Sequence, residues 1–381
     1  MTPDFDSSGR SRPARRPAKR IIPLVVAAAT LTGLGTLPHA LVGSSPGSDG
    51  PADEASSPRE FLSLERNPDL TPVRLDRESS VNRATPRATF EAGTAPLAVE
   101  ADGAPLLFEV QAIPVLPGAT VRFRVPEGGP TADVRLEFAQ GSAAETDGGW
   151  DWVAPAQPGA YALEISAGAE SDTRVVQVTA LVAHPASLVE GEAIHGFRLG
   201  RYMDKPLRGD PAYLPPDGFI EVPAGLENLA VSPHFVLGQF LCKQEGDRRF
   251  LVLSPALLAK LEAGLQKVNE AGHRAETFHV MSGYRTPAYN RAIGNTTVYS
   301  RHLYGDAADI YVDIDGNGHM DDLNGDGTVD SRDARVLFRI MGSLEEEGHE
   351  HVTPGGLGLY GPKPHRGPFV HVDTRGTPAR W

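Results

Sequence analysis

The sequence predicts an α+β chain in two folded parts: an all-β sandwich, then a domain with a small antiparallel sheet and flanking helices. Three observations predict it. Short period-two apolar runs separated by Gly/Pro turns fill residues 103–184. Two runs of helical period follow, one after Ser254 and one over 332–347. Strand-like segments rich in His and Asp lie between and after them. With 381 residues, 40% of them hydrophobic, the chain exceeds one typical domain and can fill two cores.

The first 20 residues form a basic n-region: Arg10, Arg12, Arg15, Arg16, Lys19 and Arg20 against Asp4 and Asp6. The net charge of −13 therefore understates how acidic the remainder is, which argues against a nucleic-acid partner. Residues 21–43 are apolar and read as a signal peptide or membrane anchor. The expected location is the periplasm or cell envelope, with membrane contact only through that segment and the chain acting as a monomer. Residues 44–102, rich in Ser, Pro, Gly and Ala, read as a disordered linker. The single cysteine, Cys242, excludes an internal disulfide and reads as a small core residue.

Within 103–184 the expected antiparallel strands are Leu106–Val110, Thr120–Val125, Val134–Phe138, Trp150–Val153, Tyr161–Ile165 and Arg174–Val178. The segment from Trp152 to Tyr161 resembles a corner of bacterial immunoglobulin-like modules, and the unit reads as a spacer. Trp150, Trp152 and Tyr161 can stack on a sugar, but core packing is the better account of them. Residues 185–232, which include Pro206, Pro211, Pro215, Pro216 and Pro223, read as an extended connector. In the last part, 233–381, Ser254 and Pro255 open a helix with Leu257, Leu258, Leu261, Leu265 and Val268 on one face, and Gly272 ends it. The stripe of the second helix is Ala334, Leu337, Ile340, Met341 and Leu344.

Chemistry concentrates in three pieces of this domain: Ser282-Gly283-Tyr284-Arg285, then Ser300 to Ile310, then Phe369-Val370-His371-Val372-Asp373. Two neighbouring strands and a Gly-containing turn can bring His302, Asp309 and His371 around one tetrahedral cation with a position left open. Together the pieces resemble the zinc D-Ala-D-Ala carboxypeptidase superfamily, to which phage endolysins and the Hedgehog fold belong, and most closely its murein endopeptidase branch. The pattern Ser-x-His-x-x-Gly-x-Ala-x-Asp is met by Ser300, His302, Gly305, Ala307 and Asp309. Gly355 to Tyr360 meets a Gly-Gly-x-Gly-x-Tyr run, and the terminal aromatic is Trp381. The resemblance implies a zinc peptidase acting on peptidoglycan stems or cross-links. Its ligands would be His302, Asp309 and His371, and Arg285 would face the substrate carboxylate or oxyanion. An acid usually stands three positions before the last histidine; here it is Pro368. Asp373, on the same strand face as His371, is the candidate base or orienter, and His365 a candidate proton donor.

An acidic insertion, 313–333, follows Asp309. Counted from Asp322, oxygen ligands fall at positions 1, 3, 5, 7, 9 and 12: Asp322, Asn324, Asp326, the Thr328 carbonyl, Asp330 and Asp333, with Gly327 at the sharp turn. This is an EF-hand-like calcium loop similar to those of dockerin modules. A partial loop before it offers Asp313, Asp315, Asn317 and Asp321. Two other readings compete: a non-catalytic zinc- and calcium-binding recognition module at the cell wall, favoured by Pro368, and a cohesin-binding dockerin, disfavoured by having one complete loop inside another domain.

Overall fold

The computed structural model describes residues 90–126, 134–168 and 172–381. The n-region, the apolar segment 21–43 and most of the expected linker lie outside them. No helix of the described residues is long and apolar enough to cross a membrane.

The first part is two sheets around one apolar core. Its strands are β1 (Glu100–Ala101), β2 (Ala104–Pro105), β3 (Val110–Val115), β4 (Thr120–Arg124), β5 (Val134–Phe138), β6 (Ser142–Thr146), β7 (Gly149–Val153), β8 (Gly159–Ala167) and β9 (Arg174–Val182). One sheet runs β2-β1-β4-β7-β6 and the other β3-β9-β8-β5. Val121 and Phe123 of the first sheet and Leu163, Ile165, Val176 and Val178 of the second share the buried cluster. Trp152 and Tyr161 are buried in it, so packing rather than sugar stacking accounts for them. The all-antiparallel expectation is corrected at β3, which pairs parallel to β9. Edge strand β6 is exposed almost throughout and so lacks the alternation that betrays a strand. The expected start at 103 is also too late. Leu97 and Val99 already belong to this core, their alternation hidden in a Pro/Gly/Ala-rich neighbourhood.

The expected connector is folded rather than extended. His184–Pro185, Gly218–Glu221 and Phe250–Leu251 pair into one small sheet, and Phe219, Ile220, Val222, Leu229 and Val231 are buried. Its prolines punctuate short elements instead of preventing them. The unit expected to be a spacer is not detached either: Ala112, Leu181 and Ala183 lie in the same buried cluster as Phe219, Phe250 and the C-terminal sheet.

That sheet has five strands in the order His279–Ser282, Ala307–Tyr311, Phe369–Asp373, Gly356–Tyr360, Ala379–Arg380, antiparallel except for the last pair. Helix α1 (Pro255–Glu270) follows Ser254 as expected, with Leu257, Leu258, Leu261, Leu265 and Val268 buried. Helix α2 (Pro287–Ala292), too short for its period to show, is capped by the Thr286 side chain on Tyr289 N–H. Helix α3 (Ser331–Glu346) buries Ala334, Leu337, Met341 and Leu344. Cys242 is buried in the same core.

Candidate metal centre

Strand alternation makes the site. Ala308, Ile310, Val370 and Val372 enter the core shared with α1 and α3, which leaves Asp309 on one strand, and His371 and Asp373 on the next, to the other face. Asp309 and His371 stand directly opposite in the register. His302 arrives on the tight turn Arg301–Tyr304. That turn is pinned by a buried pair between the Arg301 guanidinium and the Asp306 carboxylate, with the guanidinium over the rings of Tyr213 and Tyr304 at 4.4 and 4.7 Å. Gly305 closes it at φ +70°, where a Cβ would also collide with the Val252 carbonyl.

Three atoms converge. His302 Nε2 lies 3.2 Å from Asp309 Oδ1 and 3.2 Å from His371 Nδ1, which lies 2.9 Å from Asp309 Oδ1. All three residues are buried. The far nitrogens define the tautomers. His302 Nδ1–H donates to the Gly283 carbonyl at 2.7 Å, and His371 Nε2–H donates to Asp373 Oδ2 at 3.1 Å. In the neutral rings both facing nitrogens therefore carry lone pairs, aimed at a carboxylate oxygen. Such a triangle is repulsive unless a proton on His371 Nδ1 or a cation sits among them. With zinc bonds of about 2.0–2.1 Å, ligand atoms of a tetrahedral site stand about 3.3 Å apart, close to these separations. The residues fit a zinc ion.

The outer partners explain the rest. Asp373 is fully buried and accepts from Gly356 N–H at 2.7 Å and from Arg375 Nη2 at 2.5 Å, besides His371. Burial pushes its carboxyl pKa up, but His371, Arg375 and the Gly356 N–H outweigh this and hold it far below the usual range. A Cβ at Gly356 would strike this carboxylate, which accounts for one glycine of the Gly-Gly-x-Gly run. Lys260, buried on α1, donates to the Asp373 carbonyl at 2.9 Å and to Glu345 of α3 at 2.7 Å, fixing the strand end. Asp373 thus sits behind His371 as its orienter and not at the metal side as a base. Arg285 is likewise engaged: its Nη2 bonds Asp309 Oδ2 and its Nε bonds Ser282 Oγ at 2.7 Å. It orients the carboxylate ligand instead of reaching outward. His365 is exposed on the turn between Lys363 and Arg366 and is not part of the cluster. Sequence reasoning missed Arg375, although Asp-x-Arg on one strand end was the available signal. It also missed the Arg301–Asp306 pair, five residues apart across a glycine turn.

In the partial loop of the insertion Asp313 accepts from Asn317 and Gly318 N–H, Asp315 from Asn317 N–H and Asp321 from Ile314 N–H. Asp313, Asp315 and Asp321 of the partial loop each bring an oxygen within 4.8 Å of the others, and Asn317 Oδ1 accepts from His319 N–H. In the loop expected to be complete the acids serve the backbone in the same way. Asp322 accepts from Gly325, Asp326 and Gly327 N–H, Asn324 from Asp326, and Asp326 from Thr328. Asp330 and Asp333 form a capping box on α3, and Arg332 pairs with Asp326 and Asp330.

A family model, Peptidase M15, matches residues 233–322. The match supports the zinc D-Ala-D-Ala carboxypeptidase superfamily for this domain and indicates a peptidase; M15 peptidases are zinc-dependent. It includes His302, Asp309 and Arg285, whereas His371 and Asp373 join the site from beyond it. No curated protein and no solved structure matches the chain.

Proposed function

We propose that this protein is an exported zinc metallopeptidase that hydrolyses peptide bonds in the stems or cross-links of peptidoglycan. The observation carrying this reading is the convergence of His302 Nε2, His371 Nδ1 and Asp309 Oδ1, each held by its own outer partner, in a domain that matches Peptidase M15. Bound zinc supplies Lewis acidity for amide hydrolysis. The chain's own residues hold and aim the ligands: Gly283 and Asp373 fix the two imidazole tautomers, and Arg285 turns Asp309 Oδ1 inward. The basic and apolar N-terminal segments support a reading of export to the cell envelope, and the two-sheet β unit shares a buried core with the enzyme domain. Zinc-loaded protein incubated with defined muropeptides should release peptide products identifiable by mass analysis. A zinc-binding protein that releases none supports the second reading, a recognition module. That reading is favoured by one observation: neither Asp373 nor His365 offers a proton acceptor at the metal side.

The insertion is proposed to bind calcium as a structural ion, through Asp313, Asp315 and Asp321 and through the loop from Asp322 to Asp333. Neutralising these carboxylates would order the end of the Asp309 strand and the start of α3 together. At a hundredfold excess over its Kd, calcium would add about 2.7 kcal/mol of stability. Thermal melts of zinc-replete protein should therefore shift upward with calcium, and Asp313→Asn should reduce the shift. Superimposable curves with and without calcium would leave the insertion a solvated acidic turn.

A further inference from the structure

A second pair of histidines lies outside the cluster of His302, Asp309 and His371. His184 is on the short strand His184–Pro185 that leaves β9, and His195 is on the hairpin formed by Ala193–Ile194 and Phe197–Arg198. That hairpin turns in two residues, His195 and Gly196, at φ +46° and +83°. These are the two left-handed positions that a type I′ turn requires. The turn holds the His195 ring nearly parallel to buried Phe250, at 20° and 6.3 Å between centroids, while His184 meets the same phenyl edge-on at 5.4 Å. The two imidazoles face each other: His195 Nε2 stands 3.0 Å from His184 Nδ1. The other nitrogen of His184 is committed. Its Nε2–H donates to Glu221 Oε2 at 2.9 Å, and Glu221 is held in turn by Arg248 through Nε at 2.6 Å and Nη2 at 2.5 Å. Burial lowers the His184 pKa more than Glu221 raises it, which keeps the ring neutral. Its Nδ1 therefore carries a lone pair.

The same arrangement occurs at His371, where Nε2 bonds a buried carboxylate and Nδ1 faces the other ligands. A carboxylate on the far nitrogen fixes the tautomer and raises the basicity of the near one. The 3.0 Å between the facing nitrogens is close to the spacing of about 3.3 Å at which two imidazoles share one tetrahedral cation. His195 is exposed, so water can fill the remaining positions. In its neutral form the His195 ring need only carry its proton on Nδ1 to offer Nε2 as a ligand. We infer that His184 Nδ1 and His195 Nε2 form a second metal site, for zinc or another divalent cation that imidazole prefers, with Glu221 as the orienting carboxylate. Two protein ligands hold an ion more loosely than three. This site therefore fills at excess zinc and empties on gel filtration, while the ion at His302, Asp309 and His371 stays. When filled, it staples the segment leaving β9 to the hairpin. The inference stands apart from the peptidase reading.

Zinc chloride titrated calorimetrically into gel-filtered, zinc-loaded protein should show one further equivalent bound. His195→Asn, which tolerates the left-handed turn, should lose that equivalent while keeping the firmly bound ion, and the retained ion shows that the variant is folded. Glu221→Gln should weaken the further equivalent by about 10- to 100-fold. Thermal melts should follow the titration: excess zinc should raise the Tm of the zinc-loaded native protein and leave that of His195→Asn unmoved. A native protein that takes up no further zinc overturns the inference, and the two rings then share only a hydrogen bond. A further equivalent that His195→Asn binds with undiminished affinity overturns it as well, because the ion then lies elsewhere.

Discussion

His302→Ala should lower muropeptide hydrolysis by roughly a thousandfold or more and bring bound zinc from one per chain to near zero. The side chain supplies one of three donors, and it comes from a turn rather than from the sheet. Its loss leaves Asp309 and His371 facing each other across the strand pair, too few to hold the ion at ordinary concentrations. The fold should survive. The turn's anchor is the Arg301–Asp306 pair stacked on Tyr213 and Tyr304, which the substitution does not touch. Zinc content by elemental analysis, far-ultraviolet circular dichroism and product release measured on one preparation would check this. Full hydrolysis with a zinc-free His302→Ala variant would remove the metal from the mechanism.

Asp373→Asn should weaken zinc binding by 10- to 100-fold, the usual scale for an outer partner of a metal-ligating histidine, and lower stability by about 3 kcal/mol through the unpaired Arg375. It should also change how zinc binding depends on pH. In the metal-free protein, burial alone would lower the His371 pKa, but Asp309 and Asp373 outweigh it and the value is raised above 6.5. His302 is lowered by burial and stays neutral. A folded pKa above the unfolded one means that the proton on His371 stabilises the metal-free fold fully below 6.5, and that this contribution is lost as pH rises through the folded value. Zinc must displace that proton. Its affinity should therefore fall about tenfold per pH unit on acidification through the window. Asp373→Asn removes one of the two raising groups and moves the window to lower pH. Competition titrations with a chromophoric chelator across about pH 6 to 8 would resolve both effects. An affinity that is flat with pH in the native protein would contradict the assignment of the His371 proton.

That His302, Asp309 and His371 would meet was suggested by strand alternation and a glycine turn and singled out by the family resemblance; the structure brings the three together. The two long helices were legible through the Ser254–Pro255 start and the leucine stripes. What failed to show was everything decided by side-chain direction or by partners distant in sequence. Asp373 was rightly placed on the face of His371, but only its bonds to Gly356 and Arg375 reveal that it stands behind the ring. Arg285 was expected to point outward, and its attachment to Asp309 cannot be read from Ser-Gly-Tyr-Arg. The acidic loop matched a pattern of oxygens, but Arg332 and the cap of α3 compete for those same oxygens. Composition misled twice, at Leu97 and Val99 and again in the proline-rich 185–232, because buried alternation was brief there and flanked by turn formers.

The core joining Ala112, Leu181 and Ala183 to Phe219 and Phe250 makes the catalytic domain and the β-sheet unit thermodynamic neighbours. A chain trimmed to the peptidase alone would not be a smaller version of the same enzyme. It would carry into water a patch of aliphatic and aromatic side chains that the intact protein keeps dry, and such patches drive self-association. The shared core predicts that the two units unfold together. Polar substitutions at Ala112, Leu181 or Ala183 of the β unit should therefore lower the solubility of the whole chain, although these residues lie outside the His302–Asp309–His371 cluster.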